Sequence, residues 1–591
     1  MPDNLSLHKS ASPPQSNDSE YSQLAGKFNL PLPLATILYN RGFKAEEKIE
    51  NFLYPDFAHL PKPEQMLGMA DAVACIVRAC EQSKHIIIHG DYDVDGVTAT
   101  ALLVKFFQGI GLEATYYIPN RLTDHYGFTT NSVDNIQAQI GDEPTLLITV
   151  DCGITAHDTV EYAREKGLEV IITDHHEPAD ILPDAAAVIN PKQSQCCFPF
   201  KELSGVGVAF FFVAAVRRAL IEKNFWKNSA AIPNLKQYLD LVALGTIADV
   251  MPLEGTNRIL VRAGLEVLNQ KRRVGIFTLA EQCGMYQADL IQAEDVSFKL
   301  APRINAAGRM GKTEHAIKLL LTDEMAVAKR SASKLEKLNS TRKKLERSVL
   351  EEIFSECETL KKEGAFALTI FHKSCHPGIL GIVASRIVDK FDCPAIVVTM
   401  EHPGDSENCI LKGSGRSIEG INIYQKLGLC SKYLEQFGGH PMAIGVTLHQ
   451  EAFPAFRAAF DDCCTEKDSS MSARQIYVDY ELTSEDLTSD TLLAKLQLFQ
   501  PFGEANPEPL FALKQVYLKN VKDVSGHLKF SLPTASSNAV NGIGFYLAEK
   551  ITTVKEGPVD IIFKLKRSSY RGVQRKEIQL VDVCKPNQTK I

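Results

Sequence analysis

One pattern repeats between Lys84 and Val250: a short apolar run ends at a carboxylate, and a helical stretch follows. "HIIIHGDYDVDG" precedes the helical "VTATALLVKFFQGIG", and "TLLITVDCG" and "LEVIITDHH" are apolar runs that end in the same way. Strands that alternate with helices form βαβ units, and runs that are apolar throughout indicate strands buried on both faces. The pattern therefore predicts an α/β domain with a mainly parallel sheet covered by helices.

The length of 591 residues exceeds what a single hydrophobic core usually holds, so several domains are expected. We predict a disordered N-terminus over 1–20, an N-terminal helical segment over 21–80 and the first α/β domain over 81–324. A polar helical pattern without Pro or Gly predicts a long connector helix over 325–363 that bridges through solvent. A smaller α/β domain follows over 364–465, and short strands separated by turns predict a small β-barrel over 470–591.

Composition narrows the classes of protein to which the chain can belong. The net charge of -8 argues against bulk affinity for nucleic acid, but "FKLKRSSYRGVQRKE" near the C-terminus is a basic stretch with interleaved aromatics. A solvated sheet face explains that stretch equally well. The 14 cysteines include no CxxC pair, which favours reduced thiols in a cytosolic protein over a zinc site or a disulfide framework. Neither a transmembrane helix nor a signal peptide is expected.

Histidines and carboxylates recur where the apolar runs of the first domain end. They are His89, Asp91, Asp93 and Asp95 around the end of "HIIIHG", Asp151 after "LLITV", Asp174, His175 and His176 after "VIIT", and Asp249 at the end of "VALGTIADV". The carboxyl ends of parallel strands meet at one edge of a sheet, so these side chains are expected to line one cleft. Clustered carboxylates repel one another unless cations neutralise them, which predicts a site for manganese or magnesium. Two such ions about 3.5–4 Å apart are the usual machinery of phosphoester hydrolysis.

Each of these residues also has a simpler interpretation. An Asp that follows a strand is often only a helix N-cap, Asp95-Gly96 is typical of a turn, and two adjacent histidines are often solvated loop residues. One metal site explains their recurrence on successive βαβ units better than a set of unrelated coincidences does.

The motifs resemble those of a known superfamily. "HGDYDVDG", "VDCG", "TDHH" and "ALGTIADVMPL", in that order, resemble the four motifs of the DHH phosphoesterases. "HPGILGIVASR", "KGSGRS" and "FGGH" resemble the partner domain DHHA1, and "PFGEANPEPLF" lies in the barrel. Together with the connector helix and "RINAAGRM", the set resembles the RecJ family of single-strand-specific 5′→3′ DNA exonucleases. This resemblance implies a DHH domain and a smaller DHHA1 domain joined by a long helix, followed by an OB-fold barrel.

The resemblance also implies roles for individual residues. One metal ion is expected at His89, Asp93 and Asp151, and a second at Asp95, Asp151, His175 and Asp249, with Asp151 bridging both. His176 is expected to point at the substrate phosphate, with Asp174 orienting the histidines, while Asp91 either supports the ligands or partners the attacking water. The expected contacts to DNA are Arg303, Asn305 and Arg309 at the scissile or neighbouring phosphates, Arg121, Ser414 and Arg416 at the terminal 5′ phosphate, and His440 in the GGH signature.

The activity implied by the resemblance is degradation of single-stranded DNA to mononucleotides from the 5′ end, by two-metal hydrolysis with Mn²⁺ or Mg²⁺, in recombination and repair. A cytoplasmic monomer that works with a single-strand-binding protein and a helicase is expected. One alternative is a phosphodiesterase or pyrophosphatase acting on short oligonucleotides or small phosphates. Enzymes of that kind resemble the two α/β domains of this chain but not its barrel or its connector. The other is a non-catalytic DNA-binding scaffold. The barrel and the connector favour a polymer substrate, and the presence of every proposed ligand favours an enzyme.

Overall fold

The computed structural model describes residues 9–10, 18–124, 127–141, 143–285, 290–401, 409–465, 476–534, 539–570 and 573–586. The predicted disorder over 1–20 therefore falls mostly outside the described residues. None of the helices in the described part of the chain combines the length and the apolar character needed to cross a bilayer.

The described part of the N-terminal segment is mainly helical. After the two-residue strand β1 (Lys9–Ser10), its helices are α1 (Asp18–Phe28), α2 (Leu32–Asn40), α3 (Glu46–Leu53) and α4 (Met69–Gln82). Leu34 and Leu38 of α2 and Phe52 of α3 share a hydrophobic core with Phe511 and Phe563 of the C-terminal barrel. The two ends of the chain therefore pack together.

The first α/β domain contains the predicted parallel sheet, with strands in the order β3-β2-β4-β5-β6. Its strands are β2 (His85–Gly90), β3 (Ala114–Tyr117), β4 (Thr145–Val150), β5 (Glu169–Thr173) and β6 (Ala187–Ile189). Its helices are α5 (Val94–Gly109), α6 (Thr130–Ile140), α7 (His157–Glu165), α8 (Gly205–Glu222), α9 (Leu239–Ala248), α10 (Gly255–Asn269), α11 (Val274–Gln282), α12 (Ala293–Asp295), α13 (Ala301–Arg309) and α14 (Glu314–Leu321).

Alternating side chains of each strand face two different helical layers. Ile86 and Ile88 of β2 pack into the core formed with α5, α8 and α9, whereas Ile87 packs against α6 and α7. Burial on both faces explains why the strands are apolar throughout. Asp249 follows helix α9 rather than a strand, as the helix-like apolar run that ends at Val250 predicts, and "LDLVALGTIA" is buried all round.

The predicted connector is helix α15 (Met325–Lys362), which has 38 residues. At about 1.5 Å per residue it is about 57 Å long. The expectation that it bridges through solvent is only partly correct, because one face is buried along its length. Ala332 and Leu335 pack into the core of the first α/β domain, and Val349 and Ile353 pack into the core of the second. The helix therefore fixes the two domains to each other.

The second α/β domain has a mixed sheet in the order β10-β11-β9-β8-β7, in which only β7 and β8 pair in parallel. Its strands are β7 (Leu368–Phe371), β8 (Ala395–Met400), β9 (Ile410–Arg416), β10 (Gln436–His440) and β11 (Ala443–His449). Its helices are α16 (Leu380–Phe391), α17 (Ile423–Leu429) and α18 (Phe453–Cys463).

The C-terminal β-domain has strands in the order β13-β14-β18-β19-β17-β16-β15, and β12 pairs with β1. Its strands are β12 (Tyr477–Val478), β13 (Tyr480–Glu481), β14 (Phe511–Val516), β15 (Lys519–Val524), β16 (His527–Leu532), β17 (Val540–Gly544), β18 (Val559–Tyr570) and β19 (Val573–Cys584). Its helices are α19 (Ser484–Thr488), α20 (Asp490–Leu496) and α21 (Ile551–Glu556). "LFALKQVYLKNVK", which reads as one strand in the sequence, forms β14 and β15, which are separated at Tyr517 and Leu518. Left-handed backbone at Gln515 and Asn520 (φ 53° at both) lies inside the two strands, where the pairing register shifts.

Candidate active site

Helix α5 begins directly above the end of β2 and carries two of the predicted ligands. Asp93 is its N-cap, and its side chain accepts a hydrogen bond from the backbone N–H of Gly96 at 3.0 Å. Asp95 lies in the first turn, where its carboxylate accepts from the N–H groups of Gly205 at 2.6 Å and Val206 at 3.0 Å. Because these N–H groups belong to the N-terminus of α8, Asp95 joins two helices at the sheet edge. Asp93 is thus a helix N-cap, a role that does not exclude metal binding by the same carboxylate.

Asp151 follows β4 in left-handed backbone, with a φ of 61°. This conformation is uncommon for a residue other than Gly and marks a constrained position. Its N–H donates to the carbonyl of Thr173 at 3.0 Å, and a Cβ at Gly205 would come within 2.7 Å of its carboxylate. Only Gly at position 205 therefore leaves room for the carboxylate between β4 and α8.

The histidine pair is organised by Asp174, which follows β5. One oxygen of Asp174 accepts from the backbone N–H groups of His175 at 2.7 Å and His176 at 3.1 Å, and from Nδ1 of His176 at 2.8 Å. The other oxygen accepts from the N–H of Ile154 at 3.0 Å. Burial alone would raise the pKa of Asp174, but these hydrogen bonds hold it below the usual value. Asp174 is therefore a charged anchor for both imidazoles.

The two imidazoles differ in environment. His175 is buried, and burial together with the neighbouring His176 lowers its pKa to about 3, so its ring is neutral and can act as a ligand. The side chain of His176 is 37% exposed. Burial would lower the pKa of His176, but the hydrogen bond to Asp174 outweighs it and raises the pKa to about 9. His176 is thus a cation at the mouth of the site.

Three carboxylates from three different elements converge on Nε2 of His175. This atom lies 3.1 Å from Oδ1 of Asp151, 3.5 Å from Oδ2 of Asp249 and 3.9 Å from Oδ2 of Asp95. Three groups have the spacing of metal ligands: Asp95, His175 and Asp249; Asp91, Asp93 and Asp151; and Asp151, His175 and His176. Asp151 belongs to two of them, which suits the predicted bridging position. We call His89, Asp91, Asp93, Asp95, Asp151, His175 and Asp249 the metal cluster.

Unpartnered polar atoms in the metal cluster test whether metal ions fit it. Among the described residues, Oδ1 of Asp151, Nε2 of His175, Oδ1 of Asp91 and Nε2 of His89 are buried without a hydrogen-bond partner. Buried polar atoms are nearly always paired, so a missing partner of opposite charge is indicated. Burial and mutual repulsion also raise the pKa of Asp95 to about 7 and that of Asp249 to about 8. These donors fit divalent cations, which restore carboxylates to their charged form.

His89 lies beside the metal cluster's other members but outside its three close groups. Its ring is fully buried, edge-on to Phe128 with a centroid distance of 5.1 Å, and its Nδ1 is 3.5 Å from Sγ of Cys152. Burial lowers the pKa of His89 to about 4, so the ring is neutral. A neutral ring with Nδ1 engaged leaves Nε2 available as a ligand. Cys152 lies inside the "VDCG" motif, but the motif does not indicate this contact with His89.

A second cluster of charged residues lies where the first and second α/β domains meet. Nη1 of Arg309 donates to the carbonyl of Gly378 at 3.3 Å, and Nη1 of Arg416 donates to Ser414 Oγ at 3.2 Å. Burial and the charges of Arg121, Arg342 and Arg416 lower the pKa of Arg309 to about 10. We call Arg121, Arg309, Arg342, Arg416 and His376 the arginine pocket. Its convergent positive charges favour an anion with several oxygens, such as a phosphate.

The other predicted DNA contacts are Arg303, Asn305 and His440. Arg303 donates to Glu336 of the connector helix at 2.5 Å and to the carbonyl of Lys299 at 2.7 Å, and neither partner belongs to the metal cluster. Asn305 is half-buried on the same helix α13, and His440 is exposed at the end of β10. The structure thus brings Arg121, Arg309, Ser414 and Arg416 together and leaves Arg303 on the connector side of α13.

Tyr92, His376 and Arg342 are contributors that the sequence analysis missed. The guanidinium of Arg121 lies over the ring of Tyr92, 5.2 Å from its centroid. His376 caps the turn at Gly378, where its Nδ1 accepts a backbone hydrogen bond at 3.0 Å. Tyr92 and His376 lie inside the motifs "HGDYDVDG" and "HPGILGIVASR". The motifs do not indicate what either side chain contacts. Arg342 lies in the polar pattern of the connector helix and carries no sequence signal of its own.

Three family models match successive parts of the chain. The model of the DHH family, N-terminal domain, matches residues 85–246, that of the DHHA1 domain matches 363–466, and that of the RecJ OB domain matches 478–582. These matches agree with the predicted order of a parallel-sheet α/β domain, a smaller α/β domain and an OB-fold barrel.

Curated relatives described as single-stranded-DNA-specific exonuclease RecJ match nearly the whole chain. The relative from Dickeya dadantii (strain 3937) is 37% identical over 568 residues, which cover 94% of this chain and 96% of the relative. The relative from Escherichia coli (strain K12) is 36% identical over 558 residues, with 92% and 94% covered. The crystal structure of RecJ in complex with Mn²⁺ from Thermus thermophilus has a TM-score of 0.79 and 31% identity, covering 99% of this chain and 79% of that chain.

Proposed function

Because the chain belongs to the RecJ family, whose curated members are described as single-stranded-DNA-specific exonucleases, we propose that it degrades single-stranded DNA from the 5′ end to mononucleotides. The observation that carries the proposal is the pairing of the metal cluster, with its unpartnered buried ligand atoms, and the arginine pocket beside it. The reaction is phosphodiester hydrolysis, and the process served is DNA recombination and repair.

Two divalent ions, Mn²⁺ or Mg²⁺, are the proposed cofactors, and the Thermus thermophilus RecJ structures contain one or the other of these metals. His89, Asp93 and Asp151 would hold one ion, and Asp95, Asp151, His175 and Asp249 the other. Bound there, the ions lower the pKa of water and neutralise charge on the scissile phosphate and the leaving oxygen. Every remaining contribution comes from the protein's own side chains.

His176 and Asp174 act as a pair in this proposal. The cationic ring of His176 binds an oxygen of the scissile phosphate, since it stands at the mouth of the site with one nitrogen held by Asp174. Asp174 keeps the ring oriented through a hydrogen bond of 2.8 Å. Asp91, which has one unpartnered buried oxygen, accepts a proton from the attacking water or supports the ligands.

The arginine pocket provides the proposed polarity. Arg121, Ser414 and Arg416 bind the terminal 5′ phosphate, and Arg309 and Asn305 bind a neighbouring phosphate. Arg303 is also a candidate for phosphate binding, provided that it leaves Glu336. A fixed pocket for the strand end makes release of nucleotides sequential from that end.

The remaining proposals concern organisation. The proposed working boundaries are a DHH domain over 81–324, the connector over 325–363, a DHHA1 domain over 364–465 and an OB-fold domain over 470–591. Helix α4 (Met69–Gln82) crosses the first of these boundaries. A monomer in the cytoplasm, with a single-strand-binding protein and a helicase as partners, fits the substrate. The OB-fold barrel would hold the incoming strand by stacking and phosphate contacts.

The deciding experiment uses a long single strand labelled at either end and incubated with Mn²⁺. A 5′ label is expected to appear at once as mononucleotide, while a 3′ label stays on a shortening strand. Release of the 3′ label first would contradict the polarity. A dinucleotide and pyrophosphate are assayed in parallel, because faster turnover of these small substrates would favour the phosphodiesterase alternative. Absence of both Mn²⁺ binding and turnover would favour the DNA-binding scaffold.

A further inference from the structure

Arg121 stands on a tight loop that follows β3. Within this loop the N–H of Asn120 donates to Asp124 at 2.8 Å, and the N–H of Leu122 donates to Oδ1 of Asn120 at 3.0 Å. A Cβ at Gly311, just beyond α13, would come within 2.8 Å of Oδ1 of Asn120. The backbone that carries Arg121 is therefore fixed by its own hydrogen bonds and by close packing against the end of α13.

The guanidinium of Arg121 forms no hydrogen bond and no ion pair among the described residues. Of its charged neighbours, Arg309, Arg416 and His376 are basic, and the acidic Asp91 makes no ion pair with it. Like charges would push a flexible arginine away from the pocket and toward solvent. Another contact has to keep the guanidinium in place before substrate arrives.

Tyr92 supplies that contact. Its ring is 8% exposed and lies under the guanidinium, with 5.2 Å between Cζ of Arg121 and the ring centroid. The backbone of Tyr92 is itself fixed, because a Cβ at Gly308 would come within 2.4 Å of its carbonyl oxygen. A cation held over an aromatic face keeps its N–H donors free and its charge unneutralised, whereas a carboxylate would consume both.

We propose that Tyr92 is a positioning residue that holds Arg121 ready for the terminal 5′ phosphate, and so sets the preference for phosphorylated strand ends. The inference rests on the proposed function, in which Arg121 binds that phosphate. Because Asp91 and Asp93 flank Tyr92, the same short segment places the metal cluster and orients one arm of the arginine pocket. This short segment therefore sets the distance between the metal cluster and the pocket for the 5′ phosphate.

The test compares strands that carry a 5′ phosphate with strands that carry a 5′ hydroxyl, in Mn²⁺, and reports the ratio of their kcat/KM values. Tyr92→Phe keeps an aromatic face and is expected to keep the wild-type ratio. Tyr92→Leu and the longer Tyr92→Met lose that face and are expected to reduce the ratio about 3- to 30-fold. Tyr162→Leu is the matched control, since Lys166 lies 5.1 Å from the centroid of that ring, which stands on α7 and outside the arginine pocket.

The variant Arg121→Ala distinguishes a failure of the inference about Tyr92 from a failure of the proposed 5′ pocket. If Arg121→Ala loses the ratio while both Tyr92→Leu and Tyr92→Met retain it, the inference about Tyr92 is overturned and the proposed 5′ pocket stands. If Arg121→Ala retains the ratio, the pocket assignment itself fails. A loss in Tyr92→Phe as large as that in Tyr92→Leu overturns the role of the aromatic face. In the Arg121→Ala background the Tyr92→Leu substitution is expected to change the ratio no further, a result that a general packing defect would not produce.

Discussion

The metal cluster and the arginine pocket are electrostatic opposites that lie side by side. In the first, burial and repulsion raise the pKa of Asp95 to about 7 and that of Asp249 to about 8; in the second, burial and repulsion lower the pKa of Arg309 to about 10. Each is a concentration of like charge, and among the members of the arginine pocket only Arg342 forms an ion pair with a described residue, Glu346 at 3.1 Å. In the proposed function, cations complete the metal cluster and a phosphate of the substrate completes the arginine pocket, so both contact the same DNA strand.

They also differ in how they are built. The metal cluster comes from one domain, on residues that end β2, β4 and β5 or lie at the ends of α5 and α9. The arginine pocket combines a loop and α13 of the first domain, the connector helix and β9 of the second domain. A substitution in the metal cluster is therefore expected to abolish hydrolysis. A substitution in the arginine pocket is expected to alter which substrates are preferred.

The largest effect is expected from Asp151→Asn. Loss of the shared carboxylate should lower kcat about a thousandfold or more, measured with end-labelled single strands. Because the substitution removes a buried negative charge, the metal-free variant should melt at or above the wild-type temperature in chelator. Nuclease activity close to that of wild type would refute the bridging assignment, and a lower melting temperature would point to a structural role for Asp151.

Binding of Mn²⁺ to the metal cluster should stabilise the folded protein through mass action. At a free Mn²⁺ concentration of about 100 times Kd, the folded state should gain about 2.7 kcal/mol for each ion bound. Thermal melting with and without Mn²⁺ measures this gain, which should be much smaller in Asp151→Asn. Equal stabilisation of the two proteins would place the bound ions elsewhere.

The substitution Arg416→Ala tests the arginine pocket separately from the metal cluster. A charged hydrogen bond to phosphate contributes about 1.5–3 kcal/mol, so the preference for a 5′-phosphorylated strand should fall roughly 10- to 100-fold. The metal cluster is untouched, so Mn²⁺ affinity by calorimetry should stay at the wild-type value. Arg347→Ala, on an exposed turn of the connector helix, is the control for removing an arginine. Loss of metal binding in Arg416→Ala would show that the two clusters are not separable.

The smallest effect is expected from Arg303→Ala. Arg303 is engaged by Glu336, so kcat/KM should change by less than about threefold, while the lost ion pair costs about 1 kcal/mol of stability or less. Arg309→Ala on the same helix should cost about tenfold or more in kcat/KM. A loss for Arg303→Ala as large as that for Arg309→Ala would mean that Arg303 leaves Glu336 to bind DNA.

Most residues of the metal cluster could be predicted because they directly follow strands that are recognisable in the sequence. Parallel strands must end at the same sheet edge, so the carboxylates and histidines after "HIIIHG", "LLITV" and "VIIT" had to meet. Asp249 was found by the same rule although it follows a helix, because α9 ends at that edge too. The prediction for Arg303 rested on its place in a motif, and the motif does not encode which face of α13 the side chain occupies.

The sequence by itself determined the layers of the first domain, the connector helix and the residues of the metal cluster, since hydrophobic periodicity and strand ends are local properties. Only the tertiary structure decided that the N-terminal helices pack on the barrel, that Arg303 pairs with Glu336 and that Tyr92 lies under Arg121. Those contacts depend on which faces of distant elements meet, and that is set by packing across the whole molecule rather than by any short stretch of residues.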